Sequence, residues 1–389
     1  MTWLLNMKAK PHVAVVGAGA FGGWTALHLL ERGARVTLLD AWGPGNSRAS
    51  SGGETRIMRG AYGPDQPYTE TAARALKLWQ KYERKWKRQF LHRTGVLWMV
   101  SSRDDAFERG SLGPLRKAGI KFQEFSAVQM RKRWPQVNFS DVHWGIFEPE
   151  CGYLDARASC QGVVDTFIGE GGSYRRVAVT PDGLESSPLR SLELCDGSRL
   201  KADHYVFACG PWLGKLFPKT VGVLIRPTQQ DVFFFGTPAG DLRFSDEQLP
   251  VWGNHSERFF YGIPGNDGRG FKVADDTRGE DFDPTQGERV VSPATLKRIR
   301  EYIAFRFPAM KDAPLVETRV CQYEQTPDSN FIVDRHPRME NVWLLGGGSG
   351  HGFKHGPALG EIMADLILKD AEAHEQWRLS RFHTVKSHA

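Results

Sequence analysis

Six residues near the start constrain the fold of this chain more than any other feature. Gly17-Ala18-Gly19-Ala20-Phe21-Gly22 reads G-x-G-x-x-G. The run His12-Val13-Ala14-Val15-Val16 before it suits a buried parallel strand. After it, residues 20–32 carry Leu27, Leu29 and Leu30 and then meet Gly33, a helix with its stop. Residues 34–40 read as a second strand ending at Asp40, which lies 23 positions after Gly17. Strand, glycine turn, helix and strand within about 30 residues make a βαβ unit. In that setting Gly17 permits a tight turn, Gly19 admits a pyrophosphate to the backbone, and Gly22 lets helix and strand pack closely. The phosphates of a dinucleotide then face the helix N-terminus, and Asp40 accepts from the adenosine ribose. The motif alone does not separate FAD from NAD.

At about 150 residues per domain, 389 residues suggest two or three domains. A loop rich in Gly, Pro, Ser and Asn covers 42–53. Residues 69–93 read as a helix, with Leu76, Trp79, Tyr82, Trp86 and Phe90 forming one apolar stripe. Residues 205–210 are another buried strand running into glycine, at Gly210, and Val342-Trp343-Leu344-Leu345-Gly346 is one more. Helices are expected over 291–307 and 356–370. From 221 to 261 the text turns β-rich and aromatic, as in Val232-Phe233-Phe234-Phe235, which suggests an antiparallel sheet. The expected fold class is therefore α/β: a Rossmann-type FAD- or NAD-binding domain with an inserted α+β, antiparallel-sheet substrate domain. Residues 1–90, 145–220 and 325–389 are assigned to the nucleotide domain, and 91–144 with 221–324 to the substrate domain.

Composition narrows the function classes. Apolar residues are 40% and charged residues 25%, ordinary globular usage that excludes wholesale disorder. The net charge of +6 allows anionic partners and selects none. The cations Lys77, Lys81, Arg84, Lys85, Lys87 and Arg88 fall mainly off the apolar stripe of 69–93, so a solvated face is expected there rather than nucleic-acid binding. Five cysteines, with no C-x-x-C, argue against a disulfide scaffold and a structural zinc. His351 and His355 are four apart, but Gly352 and Gly356 interrupt any helix, so no metal is expected. No apolar run reaches a membrane span. Residues 1–10 have the wrong order for an export signal, and Ser387-His388-Ala389 is not a peroxisomal address, so the expected location is cytoplasmic.

Three blocks carry a resemblance. Ser50-Ser51-Gly52-Gly53-Glu54-Thr55-Arg56-Ile57-Met58-Arg59 follows Asp40. Cys321-Gln322-Tyr323-Glu324-Gln325-Thr326-Pro327-Asp328 runs on to Phe331-Ile332-Val333-Asp334. Gly348-Ser349-Gly350-His351-Gly352-Phe353-Lys354 comes last. In these blocks, and in their order along essentially the whole chain, the sequence resembles the amine-oxidising flavoprotein family of monomeric sarcosine oxidase and N-methyltryptophan oxidase. The resemblance implies FAD, O2 as electron acceptor, and oxidation of a secondary or primary amine bearing a carboxylate, with release of hydrogen peroxide. It implies a monomer acting on a small molecule.

The same resemblance assigns roles. Gly17, Gly19, Phe21, Gly22, Asp40, Ser50, Ser51, Thr55, Arg56, Gly210, Gly348, Gly350, Gly352 and Lys354 hold the cofactor. Cys321 carries it through a thioether. Lys272, in Gly270-Phe271-Lys272, supplies a fixed cation for oxygen reduction. Arg59 and Lys354 hold the substrate carboxylate, and Tyr261 and Tyr323 line the pocket. Asp276 and Gly52 stand where sarcosine oxidase has histidines, so the identity of the amine stays open, a larger pocket and a bulkier N-substituted amino acid being equally compatible. Two rivals stay open: a flavin dehydrogenase with another acceptor, and a tRNA-base-modifying flavoprotein supported only by the basic charge and the helix over 77–93.

Overall fold

The computed structural model describes residues 10–184 and 187–382. Residues 1–9 and 387–389, on which the reading of address signals rests, lie outside them. The first apolar run forms β1 (His12–Val16), buried at every position. α1 (Ala20–Glu31) follows the glycine turn, and β2 (Arg35–Asp40) lies parallel to β1. On the other side β1 pairs in parallel with His204–Phe207, which pairs in parallel with Val342–Gly346. Ser173–Arg176 closes one edge in parallel with β2, and Ile332–Arg335 closes the other, antiparallel. A buried parallel sheet needs apolar residues on both faces, which is why its strands read as unbroken apolar runs. The order reverses at β1, and ligands of such sheets bind at the carboxyl ends of the strands there.

α1 is buried from Ala20 to Leu29, because Gly356–Lys369 packs against it. A Cβ on Gly360 would lie 2.6 Å from the Trp24 carbonyl carbon, so the helices approach at a position only glycine fits. Ala14, Val16, Leu39, Phe207, Phe217 and Leu344 belong to the core of this unit.

A second, eight-stranded sheet has the order Leu315–Gln325, Arg226–Phe235, Phe271–Asp275, Phe259–Ile263, Val251–His255, Val96–Val100, Trp144–Glu148, Gln123–Ser126. Alternation sorts its side chains. Phe233, Phe235, Phe271 and Val273 join Trp252, Phe307 and Ile303 in one aromatic core. The helix Pro293–Arg306 contributes Ile299, Tyr302 and Ile303 to that core and starts at a Ser292 cap. Val232, Phe234 and Ala274 point the other way, with Tyr261 and Cys321 packed against them.

The chain divides into a first unit of Met1–Ser51, Ser159–Arg226 and Glu324–Ala389 and a second of Gly52–Ala158 and Pro227–Tyr323. It is an α/β fold with a Rossmann-type unit, as expected. Three details differ. Residues 221–226 and Glu324, assigned to the substrate domain, belong to the first unit, and residues 52–90 and 145–158, assigned to the nucleotide domain, belong to the second. There Thr55–Met58 and Leu91–His92 both pair with Gly152–Asp155, a pairing no local pattern announces. The expected antiparallel sheet also contains one parallel pair, Val96–Val100 with Val251–His255. The helix expected over 69–93 runs Gln66–Trp86 and stops at Lys87, whose φ of 53° is left-handed. The six cations named above are exposed, as a solvated face requires. No helix of the described residues is long and apolar enough to cross a membrane.

Candidate functional site

In the first unit the glycine turn is built by exclusion. Gly17 has φ +105°, and a Cβ there would lie 2.3 Å from Ala208 O. A Cβ on Gly22 would lie 1.8 Å from Gly17 O, so both positions require glycine. Gly19 is different: a Cβ there would meet only Ser51 Oγ, at 3.4 Å. Its backbone is therefore open to a ligand, and the first turn of α1 has no acidic residue to cancel its positive end. Ser51 Oγ accepts from Ala20 N at 3.2 Å, and Ser50 stands beside it in the turn Ser50–Gly52. These features fit a dinucleotide phosphate. Asp40 has a further role. Its carboxylate accepts from Ala18 N (2.8 Å), Trp42 N (2.8 Å) and Gly43 N (2.7 Å), tying together the turns at both strand ends. Three of about four lone-pair positions are thus taken by backbone.

The other glycines gather at neighbouring strand ends of the same unit. Gly210 follows His204–Phe207, and Gly348, Gly350 and Gly352 follow Val342–Gly346. A Cβ on Gly352 would lie 2.6 Å from Phe21 Cζ, so this loop lies directly on Phe21. Lys354 is buried in the turn Phe353–His355, and its Nζ donates to His351 O at 2.7 Å. Among the described residues no three His, Cys, Asp or Glu side chains are placed to hold a metal ion.

The second unit gathers most of the remaining candidates on the sheet face away from the aromatic core. Lys272 pairs across the sheet with Phe234 and Ile263. It is only 4% exposed, and its Nζ donates to Thr55 O at 3.0 Å and Thr55 Oγ1 at 3.3 Å. Burial, then the charge of Arg56, lowers its pKa to about 7. On Leu315–Gln325 the period of two puts Arg319, Cys321 and Tyr323 on one face. Arg56 Nη2 lies 3.3 Å from Cys321 Sγ. Tyr323 donates its hydroxyl proton to Asp276 Oδ1 at 2.8 Å. Tyr261 stands near Tyr323, and the two hydroxyls act on each other. Burial raises the Asp276 pKa to about 6, against the Tyr323 bond and the charge of Arg59.

The segment carrying Arg56 and Arg59 is clamped within the second unit. Gly52 O accepts from Arg157 Nη2 (2.8 Å) and Arg319 Nη1 (3.1 Å). The Glu54 carboxylate sits among Arg157, Arg269 and Arg319, the last at 2.8 Å. Arg59 donates to Ala61 O, and its guanidinium lies 4.0 Å from the centre of the Tyr62 ring and 5.1 Å from that of Trp98. Glu148, with no exposed surface, accepts from Gly60 N (2.6 Å), Ala61 N (3.2 Å), Trp98 Nε1 (2.8 Å) and Cys151 Sγ (3.2 Å). Glu148→Ala leaves these donors unpaired in the interior and is expected to destabilise the fold by about 2–4 kcal/mol. Urea denaturation measures it; an unchanged midpoint would show that the clamp carries no stability.

Thr55, Arg56, Tyr261, Lys272, Cys321, Tyr323 and Asp276 thus come together in the second unit, with Arg59 acting on Asp276 through its charge. The glycines, Phe21, Asp40, Ser50, Ser51 and Lys354 belong to the first. Gly52 holds its segment through its carbonyl. Sequence reasoning missed Glu54, Glu148 and Glu324. The first two have partners far along the chain. Glu324 lies inside a quoted block, and a period-two reading of that strand would have set it on the face opposite Cys321 and Tyr323.

The family described as FAD dependent oxidoreductase matches residues 12–366. Monomeric sarcosine oxidase of Bacillus sp. (strain NS-129) is 29% identical over 374 residues, covering 95% of this chain and 96% of that one. N-methyl-L-tryptophan oxidase of Salmonella arizonae is 26% identical over 388 residues, covering 96% and 99%. Among solved structures, L-proline dehydrogenase from P. horikoshii superposes with a TM-score of 0.84 at 21% identity, covering 97% and 98%, and shares the fold.

Proposed function

Since the chain belongs to the FAD dependent oxidoreductase family, we propose that it is an oxidase of a secondary or primary amine that carries a carboxylate. The substrate's CH–NH group loses two protons and two electrons, O2 gains them as hydrogen peroxide, and water hydrolyses the imine to a carbonyl compound and the freed amine. Bound FAD supplies the two-electron relay between amine and oxygen. The observation that carries the reading is the buried Lys272, set on the same sheet face as Cys321, Tyr261 and Tyr323.

Residues Gly17, Gly19, Phe21, Gly22, Asp40, Ser50, Ser51, Gly210, Gly348, Gly350 and Gly352 are assigned to the cofactor in the first unit, and Thr55 and Arg56 in the second. Arg59 grips the substrate carboxylate, with Lys354 as a second cation. Carboxylate binding turns affinity into orientation of the reacting C–H. Lys272 offers a fixed positive charge in a dry surround, where it stabilises charge building on oxygen. Asp276, while ionised, fixes the Tyr323 hydroxyl.

A peroxide-coupled screen of N-methyl, cyclic and primary amino acids, with amine-free acids as controls, tests the reaction. Peroxide from amino acids alone supports it. Turnover with an artificial dye but no peroxide under air would point to a dehydrogenase instead. Cys321 is proposed to hold the flavin covalently. The denatured protein band should then fluoresce under ultraviolet light, whereas Cys321→Ser should release all its flavin on acid precipitation. Flavin fully released from the unaltered chain would reject the linkage. A third expectation concerns pH. Asp276 loses its charge as pH falls through about 6, so kcat/KM should drop on that side, and Asp276→Asn should flatten the drop. An identical acid limb in the variant would remove Asp276 from the site.

A further inference from the structure

Glu324 presents a carboxyl whose surroundings are unusual for a buried acid. It is 7% exposed. Oε1 accepts from Gly348 N at 3.0 Å, while Oε2 is buried with no hydrogen-bond partner among the described residues. An unpaired buried carboxyl oxygen is costly unless something else pairs with it. The walls around it are glycine. A Cβ would lie 3.3 Å from Oε2 on Gly346, 2.9 Å from Oε1 on Gly348 and 4.0 Å from Oε2 on Gly210. Gly346 ends one strand and Gly210 follows another, both parallel to β1 and on the same side of it. The carboxyl therefore lies at the carboxyl ends of the strands, where the Gly17 turn also stands, and that end is where open α/β sheets bind their ligands.

We propose that Glu324 is a further cofactor-binding residue, whose carboxylic acid donates a hydrogen bond from Oε2 to an oxygen of bound FAD. The inference rests on the family's use of FAD. The acid form is the one that fits, because the cofactor's two phosphates are anionic and an ionised carboxylate at the same strand ends would be opposed by them. Burial already pushes the Glu324 pKa up to about 7, with the Gly348 and Gly347 N–H groups pulling it down. The titratable neighbours are Cys209, raised by burial and then by Asp40 and Glu324, and Asp40 itself. Asp40 is held by three backbone N–H groups.

The test uses the full chain carrying Cys321→Ala, stripped of flavin, so that FAD binding is reversible. Affinity is read by flavin fluorescence, and proton uptake by calorimetry at pH 8 in two buffers of different ionisation heat. Glu324→Gln keeps a donor and should bind within about threefold of its parent, while Glu324→Leu should bind about tenfold more weakly or worse. The parent should take up protons on binding FAD, and Glu324→Gln should lose that uptake. Should the leucine variant not fold, the proton measurement decides alone. Equal affinity of the leucine variant, or equal proton uptake in parent and Glu324→Gln, would overturn the proposal. A parent that binds no FAD would overturn the reading beneath it as well.

Discussion

Lys272→Met is expected to slow the oxygen-dependent half of turnover about 10²–10³-fold, the scale for removing one fixed electrostatic donor, while the amine-dependent half changes far less. Lys272 is held by Thr55 O and Thr55 Oγ1, groups that orient the ammonium without neutralising it. With its pKa lowered to about 7, the cation is present below that pH and lost above it. The oxygen reaction of the unaltered chain should therefore weaken as pH rises through 7, and the Met variant should lack that dependence. Stability runs the opposite way. The unfolded lysine, with its ordinary pKa of 10.5, binds more protons than the folded one between about 7 and 10.5, so stability rises with pH across that window. Burying the charge opposes folding at neutral pH, so an apolar side chain of similar length should hold or raise the melting temperature. A loss of activity then cannot be ascribed to unfolding. Stopped-flow flavin absorbance separates the halves; equal slowing of both would reject the assignment.

Arg59→Ala should lower kcat/KM for an amino acid roughly 10²-fold or more, the loss expected when one partner of a hydrogen-bonded ion pair is truncated. A matched amine without the carboxylate should hardly change. Tyr62 and Trp98 pack on the Arg59 guanidinium, and Glu148 fixes the backbone just beyond it, so the side chain is prepared before substrate arrives. Arg59→Lys restores the charge but not the fork and should recover only part of the loss. Equal losses for the amino acid and the carboxylate-free amine would show that Arg59 acts on something else.

The nucleotide unit was legible because its signals are local. The β1 run, the glycine turn and Asp40 lie within one βαβ unit, where Gly22 is required by the carbonyl of Gly17 while Gly19 stays open. The second unit was less so. Val96–Val100 pairs in parallel with Val251–His255 across a long stretch of chain, and nothing in either run specifies its partner. Glu148 and Gly60 are 88 positions apart, so a carboxylate that holds the Arg59 segment looks like any strand-end acid. The residues gathered around Lys272 were named from motif blocks, and the alternation of each strand explains how they share a face. The same alternation puts Glu324 on the opposite parity from Cys321 and Tyr323, and its carboxyl lies among glycines of its own unit.

The most direct test of the central claim is to mix the purified yellow protein with candidate amines without air and follow the flavin absorbance. Amino acids with a primary or secondary amine should bleach the visible band, and readmitted air should restore it with one hydrogen peroxide per flavin. A band that no amine bleaches, or that air fails to restore, would contradict the account.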